Sequence, residues 1–117
     1  MMEKIYYLSS IEMDILKKDF EILTFANDFD IVYEEQVPCT GIAIVEGEVE
    51  FLKNSKVEKT LTEGHVIGIY HLINEYPATH GCRIKAKSKI ILLGKSDILE
   101  LKQTKKSKNH PILKGIS

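Results

Sequence analysis

The sequence predicts a mainly β fold, a double-stranded β-helix or jelly roll, with an N-terminal helix, a short helix inside the roll and a C-terminal helix. From residue 20 onward, short alternating or β-branched-rich stretches recur: "FEILTF", "DIVYEE", "GIAIVEGEVEFL", "KVEKTL", "HVIGI", "CRIKAKS" and "KIILLG". Turn signals separate them at Asn27-Asp28, Pro38 to Gly41, Glu46-Gly47, Asn54-Ser55, Glu63-Gly64 and Lys87-Ser88. Many short strands at near-regular spacing argue for a barrel or double-sheet roll.

In chain order, "LSSIEMDILKKDF" opens as a helix, with Ser9 and Glu12 in capping-box spacing and Ile11, Ile15 and Leu16 expected on one face. In "IAIVEGEVEFL", Val49 and Phe51 alternate with Glu48 and Glu50, one face buried and the other acidic. In "CRIKAKS", Cys82, Ile84 and Ala86 are expected inside, with Arg83, Lys85 and Lys87 forming a basic outer ladder. After "KIILLGKSD", Ser96 or Asp97 is expected to cap the closing helix, and Ile98, Leu99 and Leu101 to dock it on the roll. Pro111 stops any further helix.

The 117 residues fit one domain, 1–117, with the roll at about 20–94, the closing helix at about 96–106 and a basic tail at 107–117. An apolar content of 44% with seven Gly and three Pro supports a packed core. No apolar run approaches the ~18–20 residues of a membrane span. "MMEKIYYLSS" lacks the apolar core and cleavage site of a signal peptide. Cys39 and Cys82 have no metal or redox spacing, so a reducing, cytoplasmic location is expected. Residues 1–51 carry twelve acids against three lysines, and residues 52–117 thirteen bases against five acids. Those halves either neutralise each other in the fold or make a dipolar surface that orients a partner.

The order helix, roll, inner helix, closing helix resembles the cyclic nucleotide-binding domain of the catabolite-activator and protein-kinase regulatory families, over roughly residues 8 to 102. "DFDIVYEEQVPCTGIAIVEGEVEFL" is similar to the family's central hairpin, with Gly47 at its turn and Gly41 in the preceding loop. "LTEGHVIGIYHLI" puts Gly64 and Gly68 in the two glycine places of the phosphate-binding cassette, and "HGCRIKA" is similar to the run that closes it. In such a cassette a short helix offers backbone N–H groups to a cyclic phosphate, an arginine adds a charge-assisted bond and a glutamate accepts the ribose 2′-OH. Matched position by position, Ile69 stands in the glutamate place, His80 in the arginine place and Gly81 in the small-hydroxyl place, to within about one residue. Each charged hydrogen bond is worth about 1.5–3 kcal/mol, so losing two weakens binding roughly 10²–10⁴-fold.

The resemblance therefore implies a stand-alone, degenerate module, regulatory or protein-interacting, that does not hold cyclic AMP or cyclic GMP in the usual way. It would recognise a protein partner or pair weakly with its own copy. An alternative is a sensor of an atypical cyclic nucleotide or other small ligand, less polar at the ribose end. Gly68, Ile69, Tyr70, His80, Gly81 and Cys82 would then line its site. A cupin-type metal protein is a further alternative. His65, His71 and His80, however, lack the H-x-H pair such a site uses and read as surface or loop histidines. Cys82 reads as a core residue and Cys39 as an exposed thiol without an activating base. No catalytic triad is legible, and no enzyme activity or cofactor is expected. Lys102, Lys105, Lys106 and Lys108 read as a solvated end. The family's DNA-binding regulators add a helix-turn-helix module after the closing helix, so direct DNA binding is not expected of this chain.

Overall fold

The computed structural model describes residues 5–103 and 110–115. It contains β1 (Tyr6–Tyr7), α1 (Ser10–Asp19), β2 (Leu23–Thr24), β3 (Phe29–Val32), β4 (Gly41–Glu46), β5 (Val49–Lys53) and β6 (Lys56–Leu61). Then follow β7 (His65–Ile67), α2 (Ile69–Asn74), β8 (Gly81–Ile84), β9 (Lys89–Leu93), α3 (Lys95–Gln103) and a closing 3-10 turn (Pro111–Gly115). The strands form two antiparallel sheets, ordered β1-β7-β4-β9-β2 and β3-β8-β5-β6. This is the jelly roll the strand spacing predicts.

Helix α1 starts at the expected capping box. The Ser9 hydroxyl accepts the Glu12 N–H at 3.2 Å, and Glu12 Oε1 accepts the Ser9 N–H at 3.0 Å. Its buried face is Met13 and Leu16, whereas Ile11 and Ile15 are exposed. The expected stripe of Ile11, Ile15 and Leu16 is therefore wrong. Residues five apart on a helix lie roughly 140° apart around its axis, so Ile11 and Leu16 cannot both face the core.

Two apolar layers account for the strand sequences. Between the sheets lie Val32, Ile42, Ile44, Val49, Phe51, Leu61, Ile67, Ala78, Cys82, Ile84 and Ile90. Between the five-stranded sheet and the helices lie Leu8, Met13, Leu16, Ala43, Val45, Val66, Ile69, Leu72, Ile91, Leu93, Ile98 and Ile112. Strand β4 supplies both layers, Ile42 and Ile44 to one and Ala43 and Val45 to the other. That is why "IAIV" runs apolar without alternation. By contrast β5 and β8 face solvent on one side and alternate.

The β4–β5 hairpin turns at Gly47, where φ is +98° and a side chain would press on the backbone and side chain of Ser88. Strand β8 ends at Ile84, earlier than expected. Ala86 is exposed in the following turn and donates its N–H to Asp28 Oδ1 at 2.8 Å.

The closing helix α3 begins at Lys95, and the cap is Gly94, not Ser96 or Asp97. Asp97 Oδ2 reaches back to accept the Gly94 N–H at 3.0 Å. Ile98 is buried and Leu101 packs beside it, while Leu99 is turned outward. Lys105, Lys106 and Lys108 lie outside the described residues. Residues 110–113, expected within a solvated basic tail, instead return to the core. Ile112 is fully buried, its carbonyl accepts the Tyr6 hydroxyl at 2.9 Å, and His110 Nε2 meets Asp19 Oδ2 at 2.9 Å. His110 Nδ1 accepts the Ile112 N–H at 3.3 Å, so Nε2 carries the proton given to Asp19. Burial, with Glu12 nearby, pushes the Tyr6 hydroxyl well above the usual phenol range and keeps it a donor.

Candidate functional site

The segment expected to be the cassette runs from β7 through α2 to β8. Gly64 and Gly68 both take left-handed backbone, φ +93° and +83°, so the chain turns sharply before and after β7. Gly68 caps α2 without a side chain, and a Cβ there would lie 3.3 Å from the Thr40 carbonyl. Helix α2 ends at Glu75, also left-handed at φ +56°. The loop that follows returns the chain to the layer between the sheets, where Ala78 is buried.

Ile69, in the place of the family's glutamate, is 1% exposed and belongs to the layer between sheet and helices, not to the space between the sheets. Its side chain lies against Gly41, where a Cβ would collide with Cδ1. Tyr70 is half-buried, with its ring against His71 and Tyr76. His80 and Cys82 turn the other way. Cys82 is buried between the sheets, and the His80 ring stacks on Phe51 with centroids 5.4 Å apart. Gly81 has the opposite parity to Cys82. It lines a shallow cavity of about 160 Å3 with Tyr33, Leu52 and Arg83. The structure thus brings His80 and Cys82 together but sends Ile69 and Gly81 to two other surfaces.

His80 was expected as a loop histidine open to solvent; it is 8% exposed. Its Nε2 lies 2.9 Å from Glu58 Oε1 and its Nδ1 2.9 Å from Thr79 Oγ1. Beside it Ala78, 2% exposed, is clamped by two backbone bonds of 2.8 Å, Glu35 N–H to its carbonyl and its N–H to the Gln36 carbonyl. Phe51 is buried, as its alternation predicts, but Glu58, Thr79 and Ala78 carry no signal in the sequence. Glu58 sits at a bulge, between the Phe51–Lys59 and Leu52–Val57 pairs, so strand parity does not locate it.

His71, also expected near the surface, is 6% exposed, and its Nδ1 is buried with no hydrogen-bond partner. Burial lowers its pKa and favours the neutral ring. His65 lies in β7, with Nδ1 3.0 Å from the Thr62 carbonyl. Among the described residues no group of three His, Cys, Asp or Glu side chains is placed to hold a metal ion. Cys39 is exposed, as expected.

The opposed charges of the two halves of the chain meet on the outer face of the four-stranded sheet. Register sets Arg83 between Asp30 and Glu50. Arg83 Nε donates to Asp30 Oδ1 at 2.7 Å, and Lys85 Nζ to Asp28 Oδ2 at 2.8 Å. Glu50 lies 3.9 Å from Arg83 and 3.7 Å from Lys85. The bonds from Lys85 and from the Ala86 N–H hold Asp28 below the usual carboxylate range, and Asp30 holds Arg83 protonated. Arg83 is therefore committed to this face. Among the described residues no helix is long and apolar enough to cross a membrane.

No protein-family model matches the chain, and no curated protein matches it at a significant level. Solved structures do. A chain from a cyclic-GMP-dependent signalling pathway that regulates bacterial phytopathogenesis superposes with a TM-score of 0.75 at 17% identity, covering 95% of this chain and 94% of that one. The catabolite activator protein of Thermus thermophilus gives 0.67 at 17% identity, over 92% of this chain and 53% of its own, so this chain spans about half its length. A cyclic nucleotide-binding-like protein from Brucella abortus gives 0.63 at 16% identity, over 79% and 83%. At such identities the likeness is one of fold, and this chain has the fold of a cyclic nucleotide-binding domain.

Proposed function

We propose that this domain is a degenerate cyclic nucleotide-binding-like module, regulatory or protein-interacting, whose ligand mouth is closed by its own side chains. The observation that carries the reading is the state of His80. Both ring nitrogens are engaged inside the chain, and the partner on one side is a carboxylate. An anionic phosphate brought to this place would have to displace Glu58 or sit beside it, and like charges at contact distance repel. Ile69 adds no acceptor for a ribose hydroxyl, and its side chain is spent in the apolar layer.

Calorimetric titration with cyclic AMP and cyclic GMP tests this. Dissociation constants weaker than roughly 100 µM are expected for both, since two charge-assisted contacts are missing. A low-micromolar value for either would sink the closed-mouth reading. The buried, unpaired Nδ1 of His71 favours a second reading, in which α2 meets an atypical small ligand with a hydrogen-bond donor.

A further inference from the structure

The ion pairs of the four-stranded sheet leave its charged ladder neutralised within the chain, but the outer face of α1 is different. Ile11 is 73% exposed, the most exposed of the large apolar side chains described, and Ile15 is 39% exposed. On a helix of 3.6 residues per turn, Ile11, Asp14, Ile15 and Lys18 share one outward face, opposite Met13 and Leu16. Among the described residues Asp14, Lys17 and Lys18 form no ion pair within 4 Å, whereas Arg83 and Lys85 are each paired twice. The helix is thus acidic in its first half, at Glu12 and Asp14, and basic in its second, at Lys17 and Lys18, with Asp19 engaged by His110.

We propose that this face docks on the same face of a second copy of the chain, the two α1 helices running antiparallel about a two-fold axis. Only that orientation sets the acidic half of each helix against the basic half of the other, Asp14 facing Lys18 of its copy, with Ile15 between the two pairs and Ile11 at the end of the contact. A two-fold contact is isologous, so one self-complementary helix satisfies both sides at once. The ten residues of α1 span only about 15 Å, which covers less than the roughly 800 Å2 per partner of a stable complex. The pairing is therefore weak, with a dissociation constant on the order of 0.1–1 mM. It rests on a helix face away from the cassette residues, so nucleotide titration and self-association succeed or fail separately.

Sedimentation of the full chain over a concentration series tests the proposal with the variants Asp14→Lys, Lys18→Asp and Ile11→Ser, all at exposed positions, with thermal unfolding to confirm that each folds. Each variant alone should weaken self-association at least about tenfold. The double variant carrying both charge changes should restore it. Asp14→Lys mixed with Lys18→Asp should associate, because one helix face is then wholly basic and the other wholly acidic. A wild-type chain that stays monomeric at millimolar concentration would overturn the proposal. So would a dimer indifferent to all three variants, or reversed charges that fail to pair on mixing.

Discussion

His80 and Glu58 lie 22 residues apart in sequence and meet through a 2.9 Å contact between Nε2 and Oε1. The histidine is almost buried and the carboxylate is largely open to water, so the contact sits at the rim of the roll. It joins the end of the cassette to the edge strand β6.

The two partners should contribute unequally. Glu58→Ala removes a solvent-exposed charge contact and is expected to cost about 0.5–1 kcal/mol. His80→Ala also removes the stack on Phe51 and opens a space between the sheets, at about 2–4 kcal/mol. Urea denaturation of both variants measures this. Equal costs would mean that the ring is not part of the packed mouth.

Ile69 is expected to resist the repair its position suggests. Ile69→Glu puts a carboxylate into an apolar layer and should destabilise by more than ~3 kcal/mol, while Ile69→Val costs about 0.5–1.5 kcal/mol. The pair Ile69→Glu with His80→Arg should gain no affinity for cyclic nucleotides, because position 69 does not face the space between the sheets. A folded double variant with tenfold tighter binding would show that α2 rotates to bring residue 69 inward.

Gly41 and Ile69 should be coupled. Gly41→Ala drives a methyl group into Ile69 Cδ1 and is expected to cost about 1–3 kcal/mol. In the background of Ile69→Val, which shortens that side chain, the cost should fall by at least ~0.5 kcal/mol. Additive costs in a double-mutant cycle would contradict the contact.

Most of the fold was legible, and so were the glycines that shape the cassette. The capping box of Ser9 and Glu12 and the hairpin turn at Gly47 are local signals read over four residues or fewer. The alternation of Val49, Glu50 and Phe51 likewise needs no knowledge of the rest of the chain. What was hidden depends on distant chain. The inward face of α1 is decided by what Met13 and Leu16 meet, and the fate of Ile112 by a hydrogen bond to Tyr6, 106 residues away. Glu58 escaped because a bulge breaks the parity that would have placed it. The resemblance correctly gave the fold, but it carried the direction of residue 69 over from a glutamate to an isoleucine. An apolar side chain follows the nearest apolar layer, and here that layer lies on the helix side of the sheet.

Acid should act through His71. Burial lowers its pKa in the folded chain, so the unfolded chain takes up the proton first as pH falls. The stability linked to His71 is complete above the unfolded value, near ~6.5, and is lost as pH falls from there through the folded value. His71→Phe should remove that part of the slope. Urea midpoints of wild type and variant between pH 8 and pH 5 provide the check, and parallel curves would contradict the burial of the ring.

The proposed closure of the mouth is tested most directly at His80 itself, by nitrogen-15 NMR of the imidazole rings during titration with cyclic AMP and cyclic GMP. The ring signals of His80 and the amide signals of Gly68 and Ala78 should stay in place up to nucleotide concentrations of roughly 10 µM, a tenth of the weakest-binding bound of about 100 µM. Saturating shifts of all three at micromolar nucleotide would show that Glu58 yields its place to a phosphate, and the mouth would then be a working ligand site.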